Sequence, residues 1–288
     1  MTRRLLQRQI MPLDKDLDVM ALYLDLEEAE LEEDKYVVGG SRAAKELHNA
    51  SIRQKKSTGR SIHPDQINNR TTLRVEQGER ISFGTYFNAF PAGYWRRWTV
   101  VEEVRLAVTL KGAGASVTVY KSMANGRSQR VDAASSQTND AETFEFDLTL
   151  VPFIDGGWYW YDVVAGDSDC EVFAEWSAEV PDDRAEHGTV DIAITTMNRP
   201  DFCAKLIGQL AEDEVLRPYL DTVFVMEQGT KQVTDSEFFP AAKSLLGDTL
   251  QVLVQGNLGG SGGYARGQLE SVRKGTATYA MMMDDDVV

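Results

Sequence analysis

Three consecutive carboxylates, Asp284, Asp285 and Asp286, stand directly after the apolar run TYAMMM. Like charges crowded in this way repel one another unless a cation offsets them. Alternate residues of an extended chain point the same way. Asp284 and Asp286 are therefore expected to share a hard divalent ion through oxygen ligands. Asp285 would face elsewhere, toward a ribose or a base. A solvated acidic turn is the plainer reading of the same residues.

Polar groups also follow three earlier apolar runs. VDIAITT is followed by Asn198 and Arg199, TVFVMEQG holds Glu227 and Gln228, and LQVLVQ leads to Asn257 in the segment NLGGSGG. Four glycines among residues 259–263 are costly in chain entropy and imply a close approach of the backbone to something. GSGGYA also fits the dinucleotide pattern G-x-G-x-x-G/A, with Asp284 about 20 residues on. Against that reading, the glycines follow the third strand of their unit rather than the first, and a dinucleotide site needs one ribose-binding acid rather than three. The loop also lacks the Gly-Lys-Ser/Thr ending of a P-loop.

These groups suit sugar transfer from a nucleotide diphosphate. The leaving group departs with negative charge, which a divalent ion stabilises and which an arginine and backbone amides can share. Asp284 and Asp286 would hold the ion, Arg199 would share the charge, and Gln228 and Asn257 would bind the nucleotide or position the sugar. An acceptor hydroxyl also needs a general base. His48, His63 and His187 lie in the polar N-terminal stretch or a linker and do not offer one.

The elements that must position these residues change period along the chain. Residues 1–70 read as a polar extension, partly mobile, with the acidic run DLEEAELEED. Over 71–180, alternating runs rich in Val, Thr, Tyr and Phe, such as ASVTVYKS and ETFEFDLTL, predict an antiparallel β-sandwich or barrel. FNAFPAGYWRRW and GGWYWYD supply β-core or sugar-gripping aromatics, with Trp95 the candidate sugar contact. Residues 181–188 form a polar linker. From 189 to 288, strands alternate with helices, expected over 201–211 and from Tyr264 to Arg273, at the spacing of βαβ units. In such a sheet the carboxyl ends of the strands line the ligand crevice. The fold class is thus all-β followed by α/β.

Composition narrows the function. The formal net charge of −15 opposes a coat for nucleic acid and a purely electrostatic hold on an anionic membrane. No run approaches the roughly 20 apolar residues of a membrane span, and no signal peptide is evident, so a cytoplasmic protein is expected. Cys170 and Cys203 are too far apart in sequence for a metal-site pair.

The motifs FGTYFNAFPAGYWRRWT, VPFIDGGWYWYD, TMNRPDFC, MEQG, QGNLGGSGGYAR and MDDD, in that order, resemble the galactan-polymerising galactofuranosyltransferases of mycobacteria and their relatives. The resemblance runs from about Val75 to the end. It implies an N-terminal β-barrel-like domain, a GT-A (Rossmann-like) nucleotide-sugar domain and a helical C-terminal region. It further implies transfer of galactofuranose, with inversion, from UDP-galactofuranose to a lipid-linked galactan, in alternating β-(1→5) and β-(1→6) links. A divalent metal, Mn2+ or Mg2+, a tetrameric homo-oligomer and a peripheral place at the inner face of the plasma membrane belong to the same picture. Residue by residue, Arg199 and Gln228 resemble the UDP contacts, Asn257 the donor-site asparagine, and Asp284 and Asp286 the metal-binding acids. Thr196 and Asp285 complete the expected nucleotide-sugar set. The sequence departs from the pattern at TTMNRP, where Pro-Thr-Phe is expected before Asn-Arg-Pro, and at Met-Glu-Gln, where Asp-Gln is expected. The chain ends two residues after Asp286, before the family's acceptor-side acids, later histidine and C-terminal helices. A fragment holding a donor half-site, itself inactive, is the expectation. The alternatives are a carbohydrate-binding or scaffold module and a transferase for a different nucleotide sugar.

Overall fold

A computed structural model describes residues 1–12, 19–25 and 63–287. The chain divides into two compact units, Met1–Ala185 and Glu186–Val288, with the boundary inside the 181–188 stretch.

The first unit consists of two antiparallel sheets around one apolar core. One sheet runs β1 (Thr2–Arg8), β9 (Cys170–Val180), β4 (Glu103–Lys111), β7 (Ala141–Thr149), with β2 (Leu73–Val75) also on β9. The other runs β3 (Arg80–Ser82), β8 (Gly157–Val164), β5 (Ser116–Met123), β6 (Ser128–Ser135). The period-two pattern sends Val104, Leu106, Val108 and Leu110 of β4, Val117 and Val119 of β5, and Tyr159, Tyr161 and Val163 of β8 into the core. Phe90 stacks on Trp176 of β9 there, with centroids 4.8 Å apart. Helix α1 (Ala92–Trp98) lays Trp95 against Phe90 and the core. Trp95 is thus half-buried and packs against the core, as the β-core reading of these aromatics has it.

The opening residues correct the expectation of a polar extension over 1–70. β1 pairs with β9 from Thr2↔Val180 to Arg8↔Glu175. Met11, Met20 and Leu24 are core residues. Buried Gln9 accepts the Tyr161 hydroxyl at 2.7 Å and donates to the Thr71 and Val172 carbonyls. β1 lies at a sheet edge with its side chains mostly exposed, so no hydrophobic alternation marked it. Most of the acidic run lies outside the described residues.

In the second unit β10 (Val190–Thr196), β11 (Leu220–Glu227), β12 (Leu250–Val254) and β13 (Tyr279–Asp284) form a parallel sheet in the order β12-β11-β10-β13. The chain steps outward from β10 to β12, then returns to the other side of β10, so the order switches between β10 and β13. Ligands of open α/β sheets bind outside the carboxyl ends at such a point. Helix α2 (Pro200–Glu212), with Pro200 at its first position, and helix α3 (Phe239–Leu246) bury Cys203, Ile207, Leu210 and Leu246 with Ile192, Ile194, Val223 and Val225. Helix α4 (Gly259–Lys274) covers the opposite face.

α4 begins at Gly259, five residues before the expected start, and the glycines lie inside it. A Cβ on Gly263 would come 2.2 Å from Thr195 Cγ2, and one on Gly267 would come 2.4 Å from Ala193 Cβ. One turn further on, Ser271 donates to buried Asp191 at 2.6 Å. Gly263, Gly267 and Ser271 thus form one helical ridge seated on alternate residues of β10. What the backbone of this segment approaches so closely is the chain's own sheet.

Candidate functional site

The carboxyl ends of the four parallel strands carry the polar residues, and hydrogen bonds lace them together. Asn198, after β10, has φ 56°, a conformation that asparagine tolerates better than most residues. Its Oδ1 accepts from the amides of Thr230 and Lys231 at 2.9 and 3.0 Å, tying the first turn to the second. Glu227, at the end of β11 and 1% exposed, accepts the amides of Gly229 and Val233 at 2.8 and 2.9 Å. A buried carboxylate needs such donors, and here they set the shape of the second turn.

Gln228 joins the second turn to the third. Its Oε1 accepts the Leu258 amide at 2.7 Å and the Gln255 side chain at 3.3 Å, while its Nε2 donates to the Gly259 carbonyl at 3.1 Å. Asn257 Oδ1 accepts the Gly259 amide at 2.9 Å. The start of α4 is therefore held from two sides. The first turn of a helix carries amides without intrahelical partners and a partial positive charge, which suits it to an anion.

The three aspartates gather at the tip of β13. One oxygen from each lies within 4.8 Å of the others. The Thr196 hydroxyl donates to Asp285 Oδ2 at 2.6 Å, linking the tips of β10 and β13. Arg199 pairs with Asp286 and lies 3.9 Å from Asp285 Oδ1. Tyr264, in the first half of α4, has its phenol pushed up by partial burial and by the charges of Asp284, Asp285 and Asp286.

All seven expected site residues therefore lie at one edge of the sheet, although three of them, Thr196, Gln228 and Asp285, turn inward. Asp285 is 5% exposed and takes Thr196 as donor, so it does not face outward to a ribose or base as expected. Burial without a donor would cost a carboxylate more than its exposure gains. Thr196 and Gln228 likewise spend their polar atoms on the chain itself, acting as braces. Asp284, Asp286, Arg199 and Asn257 remain exposed. Three carboxylates against one guanidinium leave excess negative charge, and an all-oxygen donor set of this kind suits a hard divalent cation. Asn198 and Glu227, which the sequence places after their strands but to which it gives no role, shape the turns of the site, and Tyr264 is a neighbour that the sequence does not single out. An asparagine before Arg-Pro, an acid closing an apolar strand, and an aromatic just after the glycines were the available signals.

Residues 44–179 match the family described as Galactofuranosyltransferase 2 N-terminal. Galactofuranosyltransferase GlfT2 of Mycolicibacterium smegmatis is 38% identical over 220 residues, covering 76% of this chain and 34% of that protein. The Mycobacterium tuberculosis protein of the same name is 38% identical over 222 residues, with the same coverage. The chain thus spans about a third of the length of the curated relatives it matches. Among solved structures, the module TmCBM61 in complex with beta-1,4-galactotriose aligns at 9% identity and TM-score 0.24, covering 38% of this chain and 69% of that one. A family 29 carbohydrate-binding module aligns at 13% identity and TM-score 0.25, covering 40% and 77%. Overlaps this weak establish neither a shared fold nor a shared ligand.

Proposed function

From the premise that this chain is a relative of the mycobacterial galactofuranosyltransferases over about three quarters of its length, we propose that its second unit is the nucleotide-sugar half-site of a metal-dependent, GT-A type transferase. The donor is UDP-galactofuranose and the acceptor a lipid-linked galactan, with inversion at the transferred carbon. The observation that carries this reading is the close grouping of Asp284, Asp285 and Asp286 beside Arg199 and the start of α4.

Asp284 and Asp286 are the exposed ligands for Mn2+ or Mg2+. Bound there, the ion would offset the charge that develops on the departing UDP. Arg199 shares that charge. Its pair with Asp286 is exposed on both sides, 52% and 45%, and such pairs contribute about 0–1 kcal/mol. Either group can therefore turn to a ligand at small cost. Asp285, held by Thr196, keeps the strand tip in register without competing for the nucleotide. Gln228 and Asn257 hold the start of α4 by accepting the Leu258 and Gly259 amides, which leaves the later amides of the first turn for the diphosphate. Among the described residues no helix is long and apolar enough to cross a membrane.

The test is calorimetric titration of the chain with UDP, with and without Mn2+. We expect Mn2+ to tighten UDP binding, and Asp286→Ala to remove at least about tenfold of that gain, equivalent to about 1.4 kcal/mol. UDP affinity indifferent both to the metal and to the substitution would sink the proposal. Tighter binding of a different nucleotide diphosphate would redirect it to another donor.

A further inference from the structure

The outward face of the β3-β8-β5-β6 sheet carries aromatic rings that the core of the first unit does not use. Along β8, Tyr159, Tyr161 and Val163 point into the core, so Trp158 and Trp160 stand on the other face. Tyr120 of β5 is the cross-strand partner of Trp160, and their rings stack at 5.7 Å with planes 15° apart. On the other flank of Trp160, a Cβ on Gly84 would come 2.9 Å from the indole, so Gly84 lies close against the ring. Trp160 is thereby held between Gly84 and Tyr120. Two residues back along the strand, about 7 Å away, Trp158 is 44% exposed.

Hydrogen-bonding side chains interleave with these rings. Ser122 lies opposite Trp158, Thr118 opposite Asp162, and on the neighbouring strand Arg130 lies opposite Tyr120. Among the described residues, the buried carboxylate of this face, Asp162, is matched by Arg80 at 2.5 Å. Rigid π-faces beside hydroxyl and guanidinium donors complement a ligand with C–H faces and hydroxyl rims. The polar residues break up the apolar area, which disfavours a protein partner seeking a continuous patch. The overall charge of −15 disfavours a polyanion.

We propose that this face binds a neutral oligosaccharide of at least two residues, with Trp158 as the exposed stacking platform and the Trp160–Tyr120 pair as its fixed neighbour. The site belongs to the first unit and does not depend on the donor half-site. Only the identification of the glycan as a galactofuranose chain rests on the function proposed above.

The experiment titrates the full chain with a galactofuranose hexasaccharide and, in parallel, with cellohexaose and a β-1,4-linked galactohexaose, following tryptophan fluorescence and heat. Binding of at least one of them is expected. It should weaken about tenfold or more in Trp158→Ala and stay within about threefold in Trp158→Phe. Asp286→Ala should bind the sugar like the parent while losing its metal-dependent UDP affinity. Near-ultraviolet circular dichroism of each variant checks that the sandwich is intact. No binding of any of the three sugars at millimolar concentration overturns the proposal, as does full binding by Trp158→Ala. Loss of sugar binding in Asp286→Ala alone would move the glycan to the second unit and overturn it equally. If sedimentation shows that Trp158→Ala abolishes self-association and no sugar binds, the face is a contact between copies and the proposal fails. Loss of UDP binding with sugar binding kept would leave this proposal standing and count against the donor reading alone.

Discussion

The two faces of the parallel sheet are covered in opposite ways. Under α2 and α3, branched and sulfur-bearing side chains fill the space, among them Ile207, Cys203 and Leu210 over Ile192 and Val223. Under α4, the helix backbone itself is the packing surface, because Gly263 and Gly267 leave no room for a side chain. The first face is sensitive to losing atoms and the second to gaining them. The second reaches the aspartates through the backbone, since Gly263 sits on Thr195, and Thr195 pairs with Asp284. The separation of α4 from β10 therefore sets where the first turn of α4 stands relative to the aspartates. Glycines that look like a ligand cradle in the sequence act at one remove, through helix–sheet distance.

That contrast can be broken by substitution. On the side-chain face, Ile207→Ala should cost about 2–5 kcal/mol, the range for emptying a buried aliphatic site, read as a lower denaturation midpoint. On the glycine face, Gly267→Ala should cost about 1–3 kcal/mol from overpacking, even though alanine gains up to about 1 kcal/mol in helix propensity. It should also weaken UDP binding, because α4 must move off Ala193. A stabilised Gly267→Ala variant would show that the glycine contact is slack and would end the comparison. Gly208, in α2, sharpens it as a control: nothing lies within 4 Å of its missing Cβ, so Gly208→Ala should stabilise by about 1 kcal/mol or slightly less and leave UDP affinity unchanged.

The smallest expected effect concerns pH. The Lys274 ammonium, by hydrogen bonding, holds the Asp221 carboxyl below the usual carboxylate range, with Thr276 and Thr222 assisting. The bond ties the last turn of α4 to the start of β11. A depressed acid contributes stability that is present above its unfolded value, about 3.9, and lost as pH falls through its folded value. The parent chain should therefore lose more stability than Asp221→Asn between about pH 5 and pH 2, measured by denaturant midpoints across that range. Parallel curves for the two proteins would remove this anchor from the account of α4.

Much of the site was legible because its residues follow apolar runs of strand length. Arg199, Gln228, Asn257 and the three aspartates each close or follow such a run, and a parallel sheet brings those ends to one edge whatever the side chains do next. β1 was not legible, since an edge strand with exposed side chains has no alternation to read. Its place beside β9 depends on pairing across more than 160 residues. The start of α4 was misplaced because glycine disfavours helix locally, and the benefit of fitting closely against β10 is visible only once both elements exist. Glu227, read as a departure from the family pattern, is the buried acceptor that shapes the turn before Gln228 acts as a brace.

The sequence by itself determined which residue types stand at the strand ends, the switch from period two to alternating strands and helices, and the kinship carried by the motifs. These follow from local periodicity and residue chemistry. Only the tertiary structure decided which polar atoms turn inward and which stay exposed. Thr196 binds Asp285, Gln228 holds the start of α4, and Asp284, Asp286, Arg199 and Asn257 are left facing out. The physical reason is that each polar group must find a partner or water, and its choice is set by neighbours distant in the chain.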